Sequence, residues 1–171
     1  ITNKLIQNNR RTIYEHFDCI FFLHRTHQGI AQQIQDLTGG TLFEIRPLDA
    51  YSSDYDTTER QARKETREDY RPALAEQVSD FASYDTILLG TPNWFNTIAP
   101  SVATFLSEND FSGKKIALFC TNGGGGLGHT VSNIQKLVKG TEMLDSLNLY
   151  EDGGADAKAK IEAWLKKNGL Y

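Results

Sequence analysis

Residues 86–128 read TILLGTPNWFNTIAPSVATFLSENDFSGKKIALFCTNGGGGLG. Two unbroken apolar runs, 86–91 and 116–120, stand in this stretch, and each leads into a loop of unusual composition. Short apolar runs bounded by turn residues are what strands covered on both faces require. Between the runs, Val102, Phe105 and Leu106 recur at helical spacing. Strand, loop, helix and strand in succession form the repeating unit of a parallel sheet.

The alternation continues outward in both directions. Phe17 to Leu23 reads as a strand, and Ile30, Ala31, Ile34 and Leu37 as a helix stopped by Gly39-Gly40. Leu42 to Arg46 is a second strand, ended by Pro47. Downstream, Val131, Ile134, Leu137 and Val138 mark a helix, and roughly 143–150 a fifth strand. Ala157, Ile161, Trp164 and Leu165 mark a last helix closing at Gly169. The expected fold is α/β, a five-stranded parallel sheet in the order 2-1-3-4-5 with helices on both faces. Residues 48–80 interrupt the rhythm with nine acids and five bases, including a polar stretch from Asp56 to Glu68 with no evident cap. That insertion reads either as a solvated surface helix or as a lid carrying Tyr51 or Tyr55 toward a ligand.

At 171 residues the chain is sized for one domain. Eighteen basic against 22 acidic side chains leave a net charge of −4, which argues against a nucleic-acid partner. No apolar run approaches the ~20 residues of a membrane-spanning helix. Cys19 and Cys120 are too few for a disulfide framework. The expectation is a cytoplasmic domain with neither membrane nor nucleic acid as partner. Residues 1–13, with three bases and no acid, are set apart as an extension, and 14–171 form the domain.

Open α/β sheets bind ligands beyond the carboxyl ends of their strands. After the third strand comes Pro92-Asn93-Trp94-Phe95-Asn96-Thr97, whose adjacent aromatics either pack under the insertion or flank a flat apolar ligand. After the fourth comes Thr121-Asn122-Gly123-Gly124-Gly125-Gly126-Leu127-Gly128, where missing side chains let backbone N–H groups approach a ligand. The run also satisfies G-x-G-x-x-G. The dinucleotide fingerprint, however, belongs after the first strand and needs an acidic residue about twenty positions on. Cys120, ending a buried strand, reads as a small core residue. His16, His24, His27 and His129 show no metal-ligand spacing, and no catalytic side chain or metal site is expected.

Residues 83–139, SYDTILLGTPNWFNTIAPSVATFLSENDFSGKKIALFCTNGGGGLGHTVSNIQKLVK, resemble the flavodoxins and flavodoxin-like FMN oxidoreductases of bacteria. The likeness runs back over DYDTTERQARKETREDYRPAL and forward to IEAWLKKNGL, covering roughly residues 30–171. It implies a flavodoxin-like fold, FMN as cofactor, and electron transfer or flavin-dependent reduction. The alternative is a binding module of the same fold that has lost FMN. By resemblance, Pro92, Asn93, Trp94, Phe95, Asn96 and Thr97 pack on the flavin ring, and Thr121, Asn122, Gly123, Gly124, Gly125 and Gly128 lie against its polar edge. Asn96 departs from the family, where glycine is usual. The implied partner is a redox protein or a small-molecule electron acceptor.

The first loop departs further. The family places S-x-T-G-x-T there to cradle the FMN phosphate, whereas this chain has Phe22-Leu23-His24-Arg25-Thr26-His27. Arg25, Thr26 and His27 are the residues left to meet a phosphate. Codons for residues 14–28, read one base out of frame, permit M-N-I-L-I-V-Y-F-S-C-T-G-H-T-K, which has the form of the family's first strand and phosphate loop. Codons for Arg10-Arg11 permit AGGAGG, a ribosome-binding sequence, a few bases before that methionine. The expectation is that residues 1–28 are an out-of-frame translation joined to the true frame near Gly29. Sequencing the source DNA across the junction tests it; an in-frame read that encodes these residues overturns it.

Overall fold

The structure is a computed structural model that describes residues 16–21 and 25–171, with side chains from His27 onward. The expectation for residues 1–13 lies outside the described residues, and so do residues 14–15 and 22–24 and the side chains of 16–21 and 25–26, which make up most of the segment assigned to another reading frame. Among the described residues the strands and α-helices follow one another as β1 His16–Phe21, α1 Arg25–Thr38, β2 Thr41–Ile45, α2 Tyr55–Arg67, β3 Thr86–Pro92, α3 Pro100–Glu108, β4 Lys115–Asn122, α4 Thr130–Leu137, β5 Glu142–Met143, β6 Leu147–Tyr150 and α5 Ala157–Lys167. The strands are parallel in the order β2-β1-β3-β4, with β5 and β6 both pairing β4 at the fifth position.

The fifth strand is therefore broken, where the sequence suggested one run over 143–150. The ladder's last bond before the break is Leu144 N–H to Ile116 O, at 2.8 Å. Asp145 then turns its backbone toward α5. Its carbonyl accepts from Trp164 Nε1 at 2.6 Å, and its N–H donates to Asn168 Oδ1 at 3.0 Å. Those groups are spent on the helix, so pairing with β4 resumes only at Leu147.

Alternation along β3 and β4 splits the core into two layers. Ile87, Leu89, Ile116 and Leu118 face α3 and α4, and meet Val102, Phe105, Leu106 and Ile134. Leu88, Ala117 and Phe119 face α1 and α5, and meet Ile30, Ile34, Ile161 and Leu165. Gly90 sits where β3 crosses the Phe119 ring; a Cβ there would lie 2.3 Å from Cζ. Only glycine lets the sheet and ring approach so closely.

The insertion is a capped helix, against the uncapped reading. Asp54 is the N-cap, and its Oδ1 accepts from Thr57 N–H at 2.9 Å. Thr58, Ala62 and Glu65 form the buried face of α2, and the rest of it is largely solvated. Among the described residues no helix is long and apolar enough to cross a membrane.

Candidate functional site

Register places Pro92 of β3 opposite Thr121 of β4. Asn93 N–H extends the pairing by donating to Thr121 O at 2.7 Å. The two loops singled out in the sequence thus leave the sheet side by side.

The aromatic loop is a tight turn. Trp94 and Thr97 exchange both backbone hydrogen bonds at 2.9 Å, with Phe95 at φ 50° and Asn96 at φ 68°. Positive φ at both central positions is the type I′ geometry, which favours asparagine or glycine. Asn96 therefore takes a conformation that glycine adopts freely and asparagine tolerates. Phe95 does not suit it: a bulky residue there is strained by about 1–2 kcal/mol. The Arg63 guanidinium of α2 lies over the Phe95 ring, 4.5 Å from its centroid. Strain of this kind gathers at ligand-binding positions.

The glycine loop is held from beneath by Asn122. Its Oδ1 accepts from Gly124 N–H at 2.9 Å and Gly126 N–H at 3.0 Å. Its Nδ2 donates to Asn148 Oδ1 at 2.6 Å and Leu149 O at 2.9 Å. All the hydrogen-bonding capacity of this amide goes to positioning the loop. A Cβ on Gly123 or Gly124 would meet nothing within 4 Å, so this backbone faces open space. Gly125 and Gly128 instead face Asn93, whose Nδ2 donates to Gly126 O at 2.8 Å.

His27, buried on α1, hydrogen-bonds through Nε2 to Thr121 Oγ1, which brings the first turn of α1 to the end of β4. Arg25 and Thr26 open α1, and their side chains lie outside the described residues. Thr97 is engaged elsewhere: its Oγ1 accepts from Asn133 Nδ2 at 2.6 Å. Cys120 is fully buried and burial pushes its thiol up to about 12, which fits a core residue.

Tyr51, on the insertion, packs edge-on against Trp94, and its hydroxyl donates to the buried Glu65 Oε2 at 2.5 Å. The sequence reading missed Glu65. Its signal was the spacing Thr58, Ala62, Glu65, which puts a carboxylate on the inner stripe of α2. Arg63 and Asn148 were also missed, because what they touch is distant in sequence. Two clefts open beside the aromatic turn. One, of about 200 Å³, lies between the turn and α2; the other, of about 400 Å³, is lined by Tyr70, Arg71, Thr97, Asn133 and Lys136.

A parallel doubly wound sheet with two loops converging at its carboxyl edge defines a ligand-binding α/β protein of the flavodoxin-like class. Residues 18–168 match the flavodoxin family, and the chain belongs to that family. Comparison with curated proteins gives no match. Among solved structures the chain is similar to a protein described as a flavoprotein from Bacteroides eggerthii, with TM-score 0.79 and 23% identity over 92% of this chain and 99% of that one. A second, from Bacteroides uniformis, has TM-score 0.79 and 25% identity over 90% and 98%. A flavoprotein from Lactobacillus acidophilus in complex with FMN has TM-score 0.67 and 18% identity over 88% and 98%.

Proposed function

We propose that the chain binds FMN at this edge of the sheet and serves as an electron carrier or a flavin-dependent reductase in the cytoplasm. The observation that carries the reading is the strained aromatic turn set directly beside a glycine loop whose backbone at 123–124 faces open space. The described residues fit a flavin at a second point. Asn93 Oδ1 is shut from solvent with no hydrogen-bond partner, an acceptor suited to the N–H edge of a flavin ring. When bound, FMN supplies the electron chemistry. The chain's own part is to pack the ring with Trp94 and Phe95, offer glycine-loop backbone to its polar edge, and present the start of α1 to its phosphate. Its partner is a redox protein or a small-molecule electron acceptor.

A second reading, a flavodoxin-fold binding module without FMN, is favoured by one observation: the 22–27 segment holds a single hydroxyl residue, Thr26. Purified protein separates the two. A yellow protein that releases FMN on heating supports the first reading. A colourless protein that takes up no added flavin overturns it.

A further inference from the structure

We propose that the cleft of about 400 Å³ formed by the end of α2 together with α3 and α4 binds a small carboxylic acid with an apolar body. This site is separate from the FMN reading and does not depend on it. Of its lining residues only Thr97 belongs to either of the two loops, and Trp94, Phe95 and the glycine run stand outside it. The cleft exists because of how α2 stops. Asp69 follows the helix in the left-handed region at φ 51°, and Tyr70 N–H donates back to Glu65 O at 2.9 Å. This reversal of the chain past the helix end brings Tyr70 and Arg71 into one cleft with Lys136 of α4.

Two cations line the cleft with donors to spare. The Arg71 side chain is only 31% exposed and bonds Asp69 through Nη1 alone, at 2.6 Å to the carboxylate and 3.3 Å to the carbonyl. Its Nε and Nη2 have no partner among the described residues, and that free edge of the guanidinium is shaped for two-point contact with a carboxylate. Lys136 reaches only Asn133 Oδ1, at 3.3 Å, and no carboxylate of the described residues lies within 4.0 Å of it. The cleft's own carboxylates do not fill this place. Asp69 has a side chain 82% exposed, where an ion pair contributes little, and Glu65 holds its oxygens against Tyr51 and Gln61. Thr66 stands in the same wall with its Oγ1 shut from solvent and without a hydrogen-bond partner. Tyr70, Ile98 and Leu137 add apolar surface beside the cations, and the volume is that of a small-molecule site.

The experiment titrates the full chain with benzoate, benzamide and benzylamine, which share a ring and differ in charge, and follows backbone amide shifts by NMR. Benzoate is expected to shift the amides of Tyr70, Arg71, Thr97 and Lys136 saturably, and to bind more tightly than the neutral and the cationic probe. Arg71→Gln should weaken benzoate about tenfold, because a charge-assisted two-point contact is lost. Arg71→Lys, which keeps the charge without the fork, should recover only part of that. The exposed Lys136→Gln should cost about threefold, and Lys160→Gln on the distant α5 nothing. The spectra themselves verify that each variant stays folded. Shifts that grow without saturating, or that centre on residues 121–128, overturn the site. So does benzamide or benzylamine binding as tightly as benzoate, or benzoate binding that Arg71→Gln and Lys136→Gln leave unchanged. None of these outcomes bears on whether the chain binds FMN.

Discussion

The Tyr51 ring meets the Trp94 indole edge-on, with 5.5 Å between centroids and 86° between planes. Because the Tyr51 hydroxyl also holds the buried Glu65, this one side chain fastens the insertion to the aromatic turn. Tyr51→Phe keeps the ring and removes the donor, leaving the Glu65 carboxylate short of a hydrogen bond. The expected loss is about 1–3 kcal/mol of stability in urea unfolding, with flavin affinity little changed. Burial and then the Glu65 contact raise the Tyr51 phenol above its ordinary value. A phenol so raised stabilises the fold fully below about pH 10, and that stabilisation is lost as pH climbs further. The melting temperature should therefore fall above that pH, and less steeply in Tyr51→Phe. Parallel curves for the two proteins would show that the phenol is not the titrating group.

Asn122 gathers four hydrogen bonds and is nearly buried. Asn122→Ala leaves two glycine N–H groups and the Leu149 carbonyl to find water. A loss of about 2–4 kcal/mol is expected, together with faster amide exchange at Gly124 and Gly126. A variant as stable as the parent, with unchanged exchange, would mean the loop holds its shape without the amide.

The fold was legible because its two central strands, β3 and β4, are apolar on both faces and only a doubly covered sheet explains them. The fifth position was misread because its break depends on Trp164 and Asn168 capturing Asp145, a bond set by tertiary packing and invisible to a local pattern. The N-cap of α2 was overlooked because Asp54 stands ahead of the polar stretch Asp56–Glu68 from which the helix was read. Within the site, the two loops announced themselves through residue type, Trp94-Phe95 and the glycine run. What holds them in place did not. The Asn93 bridge from the aromatic loop to Gly126, the Asn122 staple to β6, the Arg63–Phe95 contact and the Tyr51–Glu65 bond are side-chain geometries between residues apart in sequence, and composition carries no trace of them.

Gly90→Ala tests the close approach of β3 to Phe119. The added methyl would sit 2.3 and 2.5 Å from ring carbons of a fully buried phenylalanine that itself packs against Trp164. Overpacking of this order costs about 1–3 kcal/mol or more. Phe119→Leu should recover part of the loss in the double variant. Strictly additive single losses would refute the contact as the cause.

In the glycine loop, two substitutions separate folding from ligand approach. Gly123→Ala adds a methyl into open space without a positive φ, so stability should hold within about 0.5 kcal/mol. Gly124, at φ 125°, has open space too, but valine there is strained, and about 1–2 kcal/mol should be lost in the apo-protein. Flavin affinity should fall in both, and in Gly124→Val by more than its stability does. Affinity unchanged in both variants would make the loop a plain turn rather than a ligand surface.

The first loop decides which flavin the chain prefers. An FMN phosphate carries close to two negative charges and needs several donors converging on a helix start. Here α1 begins at Arg25, and its buried His27 is already engaged by Thr121. The segment Phe22-Leu23-His24-Arg25-Thr26-His27 offers one hydroxyl side chain, Thr26, and the charge of Arg25. A single ion pair in a solvated setting contributes only about 0–1 kcal/mol, so the charge cannot replace a set of converging donors. Riboflavin, which has no phosphate, depends only on the ring-binding residues and should suffer far less than FMN. Placing S-C-T-G-H-T at 22–27 restores the hydroxyls and a glycine but exchanges His27 for threonine, which removes the bond to Thr121. The altered chain should therefore gain FMN affinity strongly, by at least tenfold if about 1.4 kcal/mol of phosphate binding returns, while its riboflavin affinity stays level or falls slightly. Dissociation constants of both flavins for both chains are the measurement. If the unaltered chain already prefers FMN over riboflavin as strongly as the altered one, then Arg25, Thr26 and His27 form a working phosphate site and the first loop needs no repair.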